Sequence, residues 1–209
     1  AYFSNEFGTE VSIEKVDIKF VDRVDLEGVY IEDIKKDTFI YTNVIHADIS
    51  DWSIFDPMVA VSNASLEGGH VHIRKYKGDD ELNFQHIIDY FEPEEKDTTA
   101  SEFDLSVAKF ELKDVHFIYE DQNAEPNENG LDFSNITLSH LNGGFSNFVL
   151  DGENFGVKLD DLSFIDKSGL SLNKLSGIFS YSPDLISLNQ LEIGVNNSYI
   201  QGDYLEFQT

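Results

Sequence analysis

Apolar and polar residues alternate over most of this chain, in short runs broken by turn-forming residues. A period of two belongs to a strand with one face buried and the other in water, and a chain dominated by it folds as sheet. Such runs lie near 10–20, 24–32, 38–50, 58–67 and 69–76, and again near 103–112, 114–120, 131–140, 144–151, 155–165, 170–181, 185–195 and 198–207. In the third run, Phe39, Tyr41, Asn43, Ile45, Ala47 and Ile49 fall on one face, with Ile40, Thr42, Val44, His46 and Asp48 on the other. Turns between antiparallel neighbours are expected at Asp22-Arg23, Gly68-Gly69, Gly143-Gly144, Asp166 to Gly169 and Ser182 to Asp184.

Two segments depart from this period. Over 83–91, Phe84, Ile87, Ile88 and Phe91 recur at helical spacing and form one apolar stripe, closed by Pro93. Residues 1–7 read as the end of another helix, with Tyr2, Phe3 and Phe7 on one side and Gly8 as its stop. The acidic stretch 92–102 reads as a mobile linker, and the loop from Asp121 to Gly130 has the same character. The chain therefore divides into a first sheet segment, 1–91, the linker, and a second segment, 103–209, with one continuous sheet expected across both.

One convincing helix cannot cover about a dozen strands. The expected fold is mostly β: a long twisted antiparallel sheet that packs on itself or curls into a trough around an apolar concave face. The helix near 83–91 either covers the sheet or caps an open apolar channel. Apolar residues also recur at offsets 0, 3 and 5, as in Ile13/Val16/Ile18, Leu26/Val29/Ile31, Leu112/Val115/Phe117, Leu159/Leu162/Phe164 and Leu188/Leu191/Ile193. Their number is close to what chance gives at 41% apolar content. Their physical reading is a strand whose phase slips by one residue at a bulge.

Charge narrows the function. Forty acidic residues against 14 basic ones leave a formal charge of −26, which repels nucleic-acid phosphates and anionic lipid headgroups. With no cysteine, disulfides, thiol catalysis and iron–sulfur ligation drop out. No apolar run reaches the roughly 18 residues of a membrane-spanning helix. The opening at Ala1, without methionine, reads as a piece of something longer. No nucleophile elbow, zincin motif, Walker loop or Rossmann fingerprint occurs, so an enzyme is not expected and no cofactor is implied. His70 and His72 share a strand face and carry metal-ligand chemistry, but without a third ligand nearby they read as strand residues beside a turn. Asp79-Asp80-Glu81 and Asp160-Asp161 lack the ligand spacing of a calcium loop and read as solvated turns. Asn63 and Asn135 fit glycosylation acceptors only in a eukaryotic secretory setting.

Six phrases in order carry a resemblance: Phe7 to Phe20 (FGTEVSIEKVDIKF), Leu26 to Asp33 (LEGVYIED), Leu66 to Ile73 (LEGGHVHI), Leu82 to Phe91 (LNFQHIIDYF), Phe110 to Tyr119 (FELKDVHFIY) and Ser168 to Leu175 (SGLSLNKL). Together they resemble the N-terminal region of the TamB family, in the wider AsmA-like group of envelope proteins. The resemblance covers essentially the whole chain. It implies a periplasmic segment of a protein anchored in the inner membrane of a Gram-negative bacterium, similar in architecture to chorein-type bridge lipid-transfer proteins. It also implies phospholipid traffic toward the outer membrane through an apolar gutter. The alternative it carries is a scaffold for outer-membrane protein assembly with a TamA-type barrel, through strands bound at a sheet edge. The family's membrane helix and its barrel-binding region have no counterpart in these residues.

Alternation nominates Ile18, Ile31, Val71, Phe117, Phe164 and Ile193, each on a different expected strand, as one row lining a common interior for acyl chains. Phe84, Ile87, Ile88 and Phe91 are the candidate capping helix.

Overall fold

The computed structural model describes residues 2–19, 22–49, 61–91, 108–125, 127, 132–151 and 154–208. They form one sheet of ten strands that lie side by side in chain order and do not close into a barrel. The strands are β1 (Val11–Lys19), β2 (Arg23–Glu32), β3 (Thr38–Ile49), β4 (Val61–Lys75), β5 (Lys109–Asp121), β6 (Asn135–Asp151), β7 (Asn154–Asp166), β8 (Ser171–Ser182), β9 (Leu185–Val195) and β10 (Ser198–Gln208). Two short helices accompany them, α1 (Tyr2–Phe7) and α2 (Gln85–Phe91). Gly8, at φ 69°, ends α1 in the left-handed conformation that glycine adopts without steric cost.

Neighbouring strands are antiparallel, as expected, except that β4 and β5 run parallel. A two-residue turn cannot join parallel strands, and the connection from Lys75 to Lys109 instead carries α2 as part of a crossover. The expected linker 92–102 lies outside the described residues. The second acidic loop is not loose where it is described. Its Gln122 and Asn123 side chains accept the Lys77 and Gly78 N–H groups at 3.2 and 2.7 Å, tying the loop to the turn after β4.

Strand count is a second difference. β4 continues through Gly68-Gly69 and β6 through Gly143-Gly144, so neither glycine pair is a hairpin turn, and β5 has no break between 112 and 114. These positions are kinks inside strands, because Gly68 (φ 57°), Asp114 (φ 52°) and Gly143 (φ 149°) have positive φ. The kinks belong to a seam across the sheet. Between β1 and β2, Ile13 faces Val29 and Lys15 faces Glu27, leaving Glu14 and Gly28 out of the pairing. The same gap leaves out Asn43 and Gly68 between β3 and β4, Gly68 and Asp114 between β4 and β5, and Gln190 and Asp203 between β9 and β10. Gly28, Gly68, Asp114, His140, Asp161 and Gln190, on six strands, all have φ between 51° and 61°.

Each of these six is the third residue of a phrase opened by leucine: Leu26, Leu66, Leu112, Leu138, Leu159 and Leu188. A left-handed residue returns the next side chain to the face on which the leucine sits, so positions 0, 3 and 5 share a face. The offset pattern coincides with a left-handed residue in four of the instances noted in the sequence, those opening at Leu26, Leu112, Leu159 and Leu188. The register slips at the last three, as a bulge requires, whereas the pairing around Gly28 keeps its register. A Cβ at Gly28 would stand 2.4 Å from the Glu14 side chain, which explains glycine there. The seam also corrects the face assignment of β3. Thr42 pairs with Gly69 and Ile45 with Leu66, so Ile40 and Thr42 share the side of Ile45 and Ala47.

A polar network fixes the start of the crossover. Asp33, fully buried, accepts hydrogen bonds from Asn83 Nδ2 (3.0 Å), Tyr76 Oη (2.8 Å) and the Lys35 and Asp37 N–H groups (2.9 and 3.0 Å). Asn83 also donates to the His72 carbonyl and accepts from the Arg74 N–H, both at 3.0 Å. Burial alone would raise the Asp33 pKa, but the hydrogen bonds from Asn83, Tyr76 and the two amides leave it lowered.

Candidate functional site

One side of the sheet is apolar across its width. Register carries a row from Val11 through Ile31, Ile40, Val71 and Phe117 to Leu138. On the other side of the seam Val16, Leu26, Ile45, Leu66 and Leu112 are opposed in turn. In the second half, Val157, Phe179, Leu188 and Leu205 form a comparable row across β7 to β10.

The six nominated residues fall on this side, in more than one row. Ile31, Val71 and Phe117 are cross-strand neighbours through Ile40. Phe164 faces Leu172 and packs with Phe117 on the core cluster. Ile193 faces Leu175, which faces Leu162. Ile18 faces Val24 on the outermost strand and is 61% exposed. A single row does not form, because the seam and the register steps between β5, β6 and β7 shift the pairing from strand to strand.

The centre of the apolar side is tightly covered. Val115 is 1% exposed, and Leu66 and Leu141 are 6% exposed, packed by Val71, Phe110, Leu112, Phe117, Leu138, Leu162 and Phe164. All of these residues lie on four neighbouring strands, β4 to β7, so Val115 is buried among side chains of its own sheet face. Toward the edges the face opens: Val16, Ile200 and Phe207 are all more than half exposed. A depression of about 350 Å³ lies against Phe155, Val157, Phe179 and Tyr181, with Asn147 and Asn154 also lining it.

The other side carries the charge. Lys15 pairs with Glu27 at 2.6 Å, Lys158 with Asp160 at 2.8 Å, and Lys174 with Glu192 at 2.6 Å. Asp25 is buried among Lys19, Arg23 and His46, and the Lys19 ammonium and then His46 hold its carboxyl well below the usual range. His70 stacks on His116 at 5.3 Å and lies 5.8 Å from His72. Burial, then His116 and Arg74, depress His70, and burial and then Arg74 depress His72. Among the described residues no three His, Asp or Glu side chains come together as a metal site. Asp79 pairs with Lys35 at 2.9 Å, and Asp161 with Lys174 at 3.3 Å.

The candidate cap starts on this second side. Phe84 stacks on Phe39 at 5.2 Å and 9°, and Phe39 points away from the face of its neighbour Ile40. Ile87 is half-buried on the same helix, while the side chains of Ile88 and Phe91 lie outside the described structure. Periodicity found the helix, but it could not say which side of the sheet receives it. Reasoning from sequence missed Asp33 and Asn83, which anchor the helix, because their partners come from segments far apart in the chain. It read the leucine-opened pattern as local slips but missed that they align as a seam, with a leucine two residues before each of the six left-handed positions on it.

No family model, curated protein or solved structure matches this chain.

Proposed function

We propose that this chain is a segment of an apolar trough that carries phospholipid acyl chains between the inner and outer membranes. The observation that carries the reading is an apolar face spanning an unclosed ten-stranded sheet, with no second sheet among the described residues. A closed domain buries such a face against another layer. Kinks lie on six of the ten strands, and a sheet curled toward its apolar face would bury Val115 among the side chains of that face. The resemblance to the TamB family supports the same reading. Under it the chain lies in the periplasm of a Gram-negative bacterium, within a protein held in the inner membrane and working with a TamA-type barrel. The chain has no catalytic role in this reading and takes no cofactor.

Substituting Phe117→Asp and Phe164→Asp tests the trough. In a dry packed core each carboxylate costs several kcal/mol and the fold is lost. In an open trough the carboxylate reaches water, so the melting temperature largely survives while capture of a fluorescent fatty-acyl probe fails. If both variants unfold and the wild type captures no probe, the face is a closed core and the reading is wrong.

A further inference from the structure

We infer that α2 is an acid-released flap: protonation of His86 lifts it from the charged side of the sheet while the ten strands stay paired. The observation is where the unpaired polar atoms collect. Among the described residues, four buried side-chain atoms have no hydrogen-bond partner within the chain: the Thr9 hydroxyl oxygen, His72 Nε2 and both ring nitrogens of His86. Three of the four are imidazole nitrogens, on the two elements that Asn83 joins through its bonds to Asp33 and to the His72 carbonyl. Register gives the two histidines a common neighbour. Ile40 faces Val71, which places Phe39 beside His72 on the charged side, and Phe84 stacks on Phe39 at 5.2 Å.

A protonated histidine needs acceptors for two N–H groups. His86 finds none in the closed helix. Asp89 is exposed and takes the Gln85 amide at 3.0 Å, and Asp33 already accepts from Asn83, Tyr76, Lys35 and Asp37. Both carboxylates favour the cation, but burial outweighs them. α1 lies against α2, and its described side chains, Ser4, Asn5 and Phe7, carry no charge. Around His72, burial leads again, with Arg74 and His70 opposing the proton and Glu120 favouring it. The helix itself is easily dislodged. It has 7 residues, too few to hold together in isolation, whereas the strands between the two edges are paired on both sides. Proton binding therefore opens α2 before it opens the sheet, and the imidazole gains water on release. Opening also uncovers Phe39, which is 9% exposed while the helix is in place. The flap starts on the side away from the apolar face, so this inference does not rest on the lipid reading.

Amide hydrogen exchange of the whole chain, followed from pH 7.5 to pH 5.5 and corrected for the intrinsic exchange rate, tests the flap. A histidine that titrates near 6.5 once released makes opening of 85–91 rise about tenfold or more over that range, with β5 and β6 still protected at pH 5.5. His86→Leu should cut the rise about tenfold, whereas His70→Gln should leave it in place. An NMR titration of the His86 ring in the unmodified chain gives a reading that does not depend on any variant folding, and the ring should titrate below 6.5. Exchange at 85–91 that only follows β5 and β6 would overturn the proposal, because the helix would then open with the sheet. So would an undiminished rise in His86→Leu, a rise lost in His70→Gln instead, or a His86 ring titrating at or above 6.5.

Discussion

Asp114, His140, Asp161 and Gln190 hold a backbone conformation that costs an ordinary residue about 1–2 kcal/mol, and aspartate and histidine tolerate it better than most. If that conformation is what keeps Leu112, Val115 and Phe117 on one face, a β-branched residue at 114 should be penalised and glycine accepted. Asp114→Val is expected to lower stability by about 1–2 kcal/mol in urea denaturation, with Asp114→Gly close to wild type. Loss of the His140–Asp114 pair cannot explain such a split, because both variants lose it and both partners are mostly exposed. Equal effects of the two substitutions would place the strand in ordinary extended geometry.

The histidines predict a pH dependence. His70, His72 and His86 are each depressed below 6.5, with burial as the leading cause. The folded state favours their neutral forms, so the unfolded chain binds more protons as the solution acidifies. Their contribution is complete above the unfolded value near 6.5 and is lost progressively as pH falls through it toward the lowered folded values. Asp25 acts in a separate and more acidic window, below its ordinary value of 3.8. The urea midpoint should therefore drop between pH 7.5 and pH 5.5, and His70→Gln should make the drop smaller. A midpoint that rises on acidification over that range contradicts the burial described for these rings.

Among the elements, α2 depends least on its own sequence. It has 7 residues, too few to be stable alone, and its entry is held by Asn83 reaching Asp33 and the ends of β4. Asn83→Ala leaves the buried Asp33 carboxylate short of a donor, with an expected loss of about 2–3 kcal/mol. Hydrogen exchange should show the amides of 85–91 opening before those of β5 and β6. A cost below about 0.5 kcal/mol would mean that the helix is anchored elsewhere.

How far the elements were legible follows from their physics. Strand runs near 170–181, 185–195 and 198–207 match β8, β9 and β10 because Pro183-Asp184 and Asn196-Asn197 punctuate them as hairpin turns. Gly68-Gly69 and Gly143-Gly144 carry the same local signal for a different purpose. Glycine marks a positive φ, and only pairing to neighbours decides whether the chain reverses there or merely kinks. The parallel β4–β5 pair was illegible for a similar reason, since alternation is identical in parallel and antiparallel strands. At the candidate site, the residues of the apolar face could be nominated from alternation. Their arrangement in several rows could not, because register steps are set by partners far away in sequence.

At the scale of the whole molecule, two properties stand together. A formal charge of −26 keeps copies apart, so a protein with a broad apolar face can stay dispersed. The ion pairs that organise the charged side are mostly exposed and contribute little each, so the strength of the sheet rests on its ladders and on the Leu66, Val115 and Leu141 cluster. An apolar face of this width needs an occupant, and acyl chains are the occupant proposed. Native mass spectrometry of the purified chain, with extraction and identification of any lipid released, tests that most directly. The expected result is a population carrying one or more phospholipids, lost in Phe164→Asp while that variant remains folded. A wild-type chain that is lipid-free after expression and after incubation with phospholipid vesicles would contradict the account.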